Sequence, residues 1–228
     1  NDPVNWYLGR LKTSKVTSKV GGKPDVVRNS SFSYYPANGL LKEEVVEPDV
    51  AELRLKTSYE YDAFGNKRKV TVSGNTVTVD PATGAYAVSV TQVERITETA
   101  YDSRGRFPSW TKNALGHQEN YTAYDEARGV LTAMTGANEL PTSWSYDGFG
   151  RKTHEHRADG TDSDISYKWA AAGAPVGSLY FVETASTGVA PSLAFYDKFA
   201  RQIHSVGVSG DGRIVYQTTA YDSRNRVR

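Results

Sequence analysis

The residues best suited to chemistry in this sequence are the two histidines of the segment HEH. His154 and His156 are two positions apart, so a β-strand would place both imidazoles on one face, where they could bind zinc. No third ligand is identifiable beside them, and the sequence contains no cysteine. We therefore predict two solvated strand histidines and no metal site.

A second group with possible chemistry is the carboxylate cluster in ADGTDSD. Asp159, Asp162 and Asp164 could hold calcium, but their spacing does not match a helix-loop-helix calcium loop, and an ordinary polar turn explains them. His117 and His204 have no evident nucleophile partner, and no G-x-S-x-G elbow, P-loop or dinucleotide fingerprint occurs. The sequence therefore predicts no catalytic residue, no cofactor and no enzyme.

Charge and composition exclude several kinds of partner. The 228 residues include 27 Lys and Arg against 26 Asp and Glu, a net charge of +1, so nothing favours nucleic acid or an anionic membrane. No apolar run is long enough to cross a bilayer, and the first residues lack the layout of a signal peptide. The length allows one large all-β domain or an array of smaller units, and it is enough to bury a real core.

A phrase that begins with tyrosine and aspartate recurs along the chain. Three intervals between successive tyrosines are 22 to 25 residues long, and the other two are 40 and 50 residues long, as if doubled. Degenerate copies begin at Tyr35 and Tyr167 and help to fill the array. The near-complete copies are YDAFGN, YDSRGR, YDEARG, YDGFGR, YDKFAR and YDSRNR.

Each phrase predicts a β-turn. Aspartate at the first position of a type I turn accepts hydrogen bonds from the following backbone, and glycine at the fourth adopts a positive φ without strain. We expect the tyrosines to pack between neighbouring hairpins while the aspartates hold the turns. The motif residues are Tyr61, Asp62, Gly65, Tyr101, Asp102, Gly105, Tyr124, Asp125, Tyr146, Asp147, Gly150, Tyr196, Asp197, Tyr221 and Asp222.

The segments that flank the turns read as strands. Thr57, Tyr59 and Tyr61 alternate onto one face, and a loop at Gly74-Asn75 would form a further hairpin that pairs Val72 with Val77. No segment has convincing helical periodicity. The predicted fold is all-β: an array of β-hairpin repeats that forms a long, curved, spiralling antiparallel sheet. We assign residues 1–34 to lead-in strands and residues 35–228 to the array, which we expect to be a fragment of a longer one.

The repeated phrase resembles the Rhs/YD-repeat family, which includes bacterial Rhs toxins, C subunits of insecticidal toxin complexes and, more distantly, the teneurins of animals. The segments that carry the resemblance are YDSRGRFPSWTKNALGHQENYTAYDEARGVLTAMTG and SYDGFGRKTHEHRADGT. The resemblance implies part of a hollow shell that encloses a C-terminal toxin polypeptide. The partners would be the remainder of the parent chain and that toxin, and the place would be outside a bacterium, secreted or at its surface.

The same resemblance raises the question of self-cleavage. Toxin-type members carry an aspartate-based cleavage site marked by paired D-P-x-G-like sequences, whereas this chain has DPATG once, at Asp80, between ordinary strands. We therefore interpret Asp80 as the first residue of a turn and not as a catalytic group. The alternative to the shell is a surface adhesion or carbohydrate-binding module, in which exposed Trp and Tyr rings bind surface glycans.

Overall fold

The computed structural model describes residues 7–228 and contains only β-strands as regular structure in that range. The described residues divide into two compact units, residues 7–120 and 121–228, with β8 beginning in the first and ending in the second. The strands of the first unit are β1 Thr13–Ser18, β2 Val26–Tyr34, β3 Leu41–Val46, β4 Leu55–Tyr61, β5 Lys67–Val79, β6 Tyr86–Tyr101, β7 Pro108–Lys112 and the start of β8 Gln118–Asp125. Those of the second unit are β9 Val130–Thr135, β10 Pro141–Tyr146, β11 Lys152–Arg157, β12 Asp162–Trp169, β13 Tyr180–Ser186, β14 Val189–Tyr196, β15 Gln202–Val208 and β16 Ile214–Thr218.

Within each unit, strands that follow one another in the chain pair in antiparallel fashion. In the first unit, for example, Tyr59 pairs with Val70 across β4 and β5, and Ala100 pairs with Trp110 across β6 and β7. In the second unit, Phe195 pairs with His204 across β14 and β15. Short turns join most of these strands, so each successive pair is a hairpin. The predicted all-β array of antiparallel hairpins is therefore confirmed.

Little apolar surface is buried by this arrangement. Among the residues whose burial the structure describes, Val45 and Phe195 are the buried hydrophobic side chains, while Trp169 is 76% exposed. Among the described residues, the strands of each unit form one layer, which leaves both faces of the sheet accessible. The chain is long enough to bury a real core, but its described residues bury few hydrophobic side chains.

The hairpin expected at Gly74-Asn75 is also wrong. β5 continues through both residues, and Val72 pairs with Arg95 of β6 instead of Val77. Gly74 lies beside Leu55 of β4, whose Cδ1 would be 2.9 Å from a Cβ at this position. The glycine therefore provides room for a neighbouring side chain. The chain reverses instead at Asp80–Gly84, where the N–H of Gly84 donates to the carbonyl of Asp80 at 2.8 Å.

The degenerate copy at residue 35 is shifted by one position. Tyr34, not Tyr35, ends its strand as Tyr61 does, and it pairs with Leu41 across the turn. Tyr35 stands at the aspartate position, where its N–H donates to the carbonyl of Leu40 at 2.9 Å.

No helix in residues 7–228 has the length and apolar character needed to cross a membrane.

Candidate functional site: the tyrosine-aspartate turns

The aspartate of each phrase binds the backbone of its own turn. In the phrase at Tyr146, Asp147 Oδ1 accepts hydrogen bonds from the N–H groups of Phe149 at 2.9 Å and Arg151 at 3.0 Å. The N–H of Asp147 donates to the Arg151 carbonyl at 2.9 Å, and the N–H of Gly150 donates to the Asp147 carbonyl at 3.0 Å. The same pair of bonds to Oδ1 occurs at Asp62, Asp197 and Asp222.

The fourth turn position is left-handed in each of these phrases. Its φ is 87° at Gly65 and 77° at Gly150, but also 58° at Ala200 and 67° at Asn225. A type I turn followed by one left-handed residue is a common three-residue hairpin loop, and it creates a bulge at the strand end. The register of β10 and β11 accordingly shifts between Ser145 and Tyr146.

Two phrases use longer loops. The N–H of Asp102 donates to the carbonyl of Phe107 at 2.8 Å, although Gly105 keeps the fourth position with a φ of 66°. At Asp125 the glycine comes one residue later, and the Gly129 N–H donates to the Asp125 carbonyl at 2.8 Å. The phrase therefore tolerates changes of loop length while the aspartate keeps its place at the start of the turn.

The residue four positions after the aspartate holds the second carboxylate oxygen. Arg151 Nε donates to Asp147 Oδ2 at 2.7 Å, and Arg201 binds Asp197 Oδ2 through Nε at 2.8 Å and Nη2 at 2.6 Å. Hydrogen bonds from the backbone and side chain of Arg151 lower the pKa of Asp147, and those from Arg201 lower the pKa of Asp197. These turns are therefore built around ionised aspartates.

The same residue also reaches the next phrase of the array. The Arg201 guanidinium lies 4.7 Å from the centre of the Tyr221 ring, and its Nη1 donates to Asn225 Oδ1 at 2.7 Å. The Arg151 guanidinium lies 4.1 Å from the Tyr167 ring, in the degenerate copy. In the first unit, Asn66 Nδ2 donates to Asp62 Oδ2 at 3.0 Å and to the Gly105 carbonyl at 2.7 Å. We call this two-sided contact the inter-repeat clasp, formed by Asn66, Arg151 and Arg201.

Several tyrosines join neighbouring strands through their hydroxyl groups. Tyr61 donates to the Leu41 carbonyl at 2.8 Å and Tyr146 to the Leu131 carbonyl at 2.7 Å, and both acceptors lie just after the preceding turn. Tyr221 donates to the carbonyl of Gln202 at 3.1 Å, also just after a turn. Tyr196 instead stacks on Tyr180, with ring centres 5.0 Å apart. Tyr101 ends β6, and Tyr124 is the penultimate residue of β8.

The clasp residues were missed by the sequence reasoning, although the sequence contains a signal. The position after the fourth turn residue is Arg or Asn in the phrases YDAFGN, YDSRGR, YDGFGR, YDKFAR and YDSRNR. A recurrent donor beside a recurrent aspartate indicates a pair within the turn. The contact of the same side chain with the next phrase depends on strand register, so it could not be predicted from the phrase alone.

The structure brings together the two polar groups that were considered separately for zinc and calcium. His154 Nδ1 lies 2.8 Å from Asp164 Oδ1, and His156 Nδ1 lies 2.6 Å from Asp162 Oδ1, because β11 and β12 pair in that register. The hydrogen bond to Asp164 raises the pKa of His154, and the charges of Asp164 and Asp162 add to this effect. Within the described residues, no group of three or more potential ligands is arranged to hold a metal ion.

The other candidate residues have local partners. His117 Nδ1 lies 3.5 Å from Asn113 Nδ2, and His204 Nδ1 lies 2.9 Å from Thr218 Oγ1. Asp80 Oδ1 accepts from the N–H of Ala82 at 2.8 Å, and Oδ2 accepts from Thr83 Oγ1 at 2.8 Å. Asp80 thus has the contacts of a turn residue.

An apolar cleft opens on the second unit beside one of the clasps. Its volume is about 730 Å³. Phe149 and Trp169 are 87% and 76% exposed, so the cleft presents aromatic rings to solvent. The lining residues are Phe149, Arg151, Tyr167, Lys168, Trp169, Leu179 and Tyr180.

Three solved structures have low similarity to the chain. The crystal structure of TcdB2-TccC3 is 13% identical with a TM-score of 0.33, covering 98% of this chain and 11% of that one. A porin-like protein from Bacteroides uniformis ATCC 8492 is 11% identical with a TM-score of 0.35, covering 87% of this chain and 86% of that one. A Photorhabdus luminescens Tc holotoxin pore is 12% identical with a TM-score of 0.18, covering 88% and 14%. This chain spans only about a tenth of the TcdB2-TccC3 chain.

A protein-family comparison is more specific than these structural likenesses. No curated protein matches the chain. The family model described as RHS Repeat matches residues 124–162, which run from the phrase at Tyr124 through the phrase at Tyr146 to the start of β12. The chain therefore carries an RHS repeat, and the resemblance drawn from its tyrosine-aspartate phrases is confirmed.

Proposed function

We propose that this chain is a non-enzymatic wall segment of an Rhs β-shell. The observation that carries the proposal is the inter-repeat clasp, in which one side chain holds its own turn and also contacts the next phrase. A wall made of one layer of hairpins gains little from a buried core, so contacts from repeat to repeat must hold it together. The clasps and the tyrosine hydroxyl bonds are contacts of this kind.

The shell in this proposal belongs to a large secreted or surface-bound bacterial protein and encloses a C-terminal toxin polypeptide. The partners of the segment are then the remainder of the parent chain and the enclosed toxin. Residues 35–228 form the repeat array and residues 1–34 lead into it, although residues 1–6 lie outside the described part of the chain. The site residues have structural roles: the aspartates set the turns and the tyrosines join neighbouring hairpins.

The shell proposal can be tested on the parent polypeptide purified under native conditions. We expect limited proteolysis to leave a large resistant body, and mass spectrometry to find a separate C-terminal polypeptide retained inside it. Denaturation should release that polypeptide to protease. A parent protein that retains no protected polypeptide would contradict enclosure while leaving the repeat fold intact.

The exposed aromatic cleft favours one alternative, a module that binds surface glycans. Rings such as Trp169 and Phe149 could stack on sugars, but only Arg151 and Lys168 supply charged groups to the cleft lining. Sugar sites need several polar groups to fix hydroxyls, so this lining fits the shell better than glycan recognition. If the alternative is correct, a glycan array will show binding that Trp169→Ala abolishes. We expect no binding by either protein.

A further inference from the structure

A turn at the start of the described residues has the geometry of the tyrosine-aspartate turns, although tyrosine and aspartate do not begin it. Leu8 and Gly9 lie in this turn, which precedes β1. Gly9 has a φ of 72°, close to the 77° of Gly150 at the fourth position of its phrase. Leu8 is an exposed apolar residue before the glycine, as Phe149 is before Gly150. The segment NWYLGR also ends in glycine and arginine, as YDGFGR does.

The next tyrosine along the chain bonds to this turn as tyrosines bond to the other turns. Tyr34, which ends β2, donates its hydroxyl to the carbonyl of Leu11 at 3.0 Å. Leu11 is two residues after the left-handed Gly9. Three other tyrosines also donate to a carbonyl two residues after a left-handed position. They are Tyr61 to Leu41 after Gly39, Tyr146 to Leu131 after Gly129, and Tyr221 to Gln202 after Ala200.

Arg10 makes the forward half of an inter-repeat clasp. Its guanidinium lies 5.2 Å from the centre of the Tyr34 ring, in the way that Arg201 lies against the tyrosine of the next phrase. The guanidinium also fills the space over Gly39, where an added Cβ would come within 1.7 Å of Nη1. The other half differs, because NWYLGR has no aspartate and Arg10 lies 4.0 Å from the Tyr7 ring instead.

The backbone of β1 leaves one edge open. The N–H of Phe32 donates to the carbonyl of Lys12 at 2.9 Å, so Lys12 turns its polar groups toward β2. Polar groups alternate in direction along an antiparallel strand, so those of Thr13, Lys15 and Thr17 point away from β2. Among the described residues, β2 is the only strand beside β1.

The other repeats have a paired strand at this place. Thr13 is the fourth residue after Gly9, and the fourth residue after the left-handed position elsewhere pairs with the strand that precedes the turn. The pairs are Lys69 with Glu60, His154 with Ser145 and His204 with Phe195. The outward groups of Thr13 therefore lie where a preceding strand would bond.

We propose that the turn at Gly9 is a further turn of the repeat array, and that the strand joined to it on the upstream side pairs with the outer edge of β1 in the parent protein. This inference rests on the proposed wall segment and extends the array into the part assigned to the lead-in. A three-residue hairpin loop places the strand before it antiparallel beside the strand after it. Lys15 and Lys19 disfavour pairing of this edge with a different molecule. A strand held beside β1 by the turn needs no such association, and the turn sets its register.

Hydrogen exchange in the parent protein, measured at single residues by mass spectrometry, tests the pairing. Thr13, Lys15 and Thr17 donate outward, so their amides are protected only if a strand covers the edge. We expect all three to exchange at least a hundredfold more slowly than in an unstructured peptide, as Ser14 and Val16 should through their bonds to β2. Fast exchange at the three outward amides, beside slow exchange at Ser14 and Val16, overturns the proposal. A parent that still retains a protected toxin in that case would leave the shell intact.

A double-mutant cycle in the 228-residue chain tests the contact of Arg10 with the next phrase. Gly39→Ala leaves no room for the guanidinium, so it should remove most of what Arg10→Gln removes. We expect the folding constant of the double variant to exceed the value for additive losses by about two- to fivefold, by urea denaturation of the first unit's transition. Gly84→Ala is the matched control, because its φ of 69° is similar and nothing lies within 4 Å of an added Cβ. Additive losses with Arg10→Gln at both glycines would contradict the clasp and the assignment of this turn.

Discussion

The fourth position of the tyrosine-aspartate turn shows how far one backbone conformation constrains residue choice. Ala200 adopts a φ of 58° there, and Asn225 adopts 67°. A Cβ atom disfavours this left-handed region for alanine, whereas asparagine tolerates it better and glycine adopts it freely. The turn at Tyr196 is therefore strained relative to the turn at Tyr146, which has glycine.

We predict that Ala200→Gly stabilises the protein. The substitution relieves the left-handed strain and should raise the free energy of unfolding by about 1 kcal/mol, measured by urea denaturation of the second unit's transition. Asn225→Gly is the control. It should not stabilise the protein, because asparagine already tolerates this φ and the change removes the oxygen that accepts from Arg201. An Ala200→Gly protein less stable than wild type would contradict the strain argument.

The pair of His154 on β11 and Asp164 on β12 predicts a dependence of stability on pH. The folded pKa of His154 is raised by Asp164, so the charged pair stabilises the fold fully below the unfolded value of about 6.5. The contribution is lost as the pH rises through the raised folded pKa. NMR titration should show a His154 pKa above its ordinary value, and Asp164→Asn should lower it. An unchanged His154 titration in Asp164→Asn would exclude Asp164 as the cause.

At the scale of elements, the tyrosine hydroxyls join strands near their turns. Tyr146 of β10 donates to the Leu131 carbonyl of β9 at 2.7 Å. We predict that Tyr146→Phe lowers the free energy of unfolding by about 1 kcal/mol, the usual net value of such a bond. Tyr216→Phe, at a ring that is 64% exposed, is the matched control and should have little effect. Equal losses in both variants would show that the bond to Leu131 does not matter.

The inter-repeat clasp predicts energetic coupling between Arg201 and Tyr221. The guanidinium lies 4.7 Å from the ring centre while Asp197 holds it in place, so the pair should couple by about 0.5–1 kcal/mol. A double-mutant cycle with Arg201→Gln and Tyr221→Leu measures this energy. Additive effects of the two substitutions would mean that the ring contact contributes nothing to stability.

The sequence predicts the hairpins of this fold well where a turn has its own chemistry. The aspartate of YDGFGR and the Thr-rich and aromatic strand before it are local signals, so the hairpin of β10 and β11 could be predicted. The prediction of a loop at Gly74-Asn75 was wrong because a glycine can either allow a turn or leave room for a neighbouring side chain. Here Gly74 leaves room for Leu55. Leu55 comes from β4, and nothing near Gly74 in the sequence reveals that neighbour.

The candidate sites were harder to predict because they depend on register. His154 meets Asp164 only because the turn at Arg157–Thr161 closes with its N–H to carbonyl bond of 3.0 Å. That turn is visible in the segment RADGT, so the pairing could have been predicted by counting outward from it. The contact of Arg151 with Tyr167 spans a complete hairpin and required the structure.

At the scale of the whole molecule, the small buried apolar surface predicts an unusual unfolding heat capacity. Globular proteins gain about 12–15 cal/mol/K per residue on unfolding, or about 3 kcal/mol/K for a chain of this length, because apolar surface becomes exposed. Few hydrophobic side chains are buried among the described residues, so we predict a clearly smaller value by calorimetry, summed over all transitions. A value at the globular average would indicate that apolar faces are covered in solution.

The pairing of each strand with its neighbours in the sequence also determines how the protein responds to mechanical force. When the ends of a unit are pulled apart across its strands, the hydrogen bonds between two strands are loaded one after another, as in a zipper, and not all at once. A hairpin that detaches releases its length of chain while the hairpins behind it keep their pairing. Each unit should therefore extend in small steps at low force, so that a weak pulling motor could draw it out strand by strand.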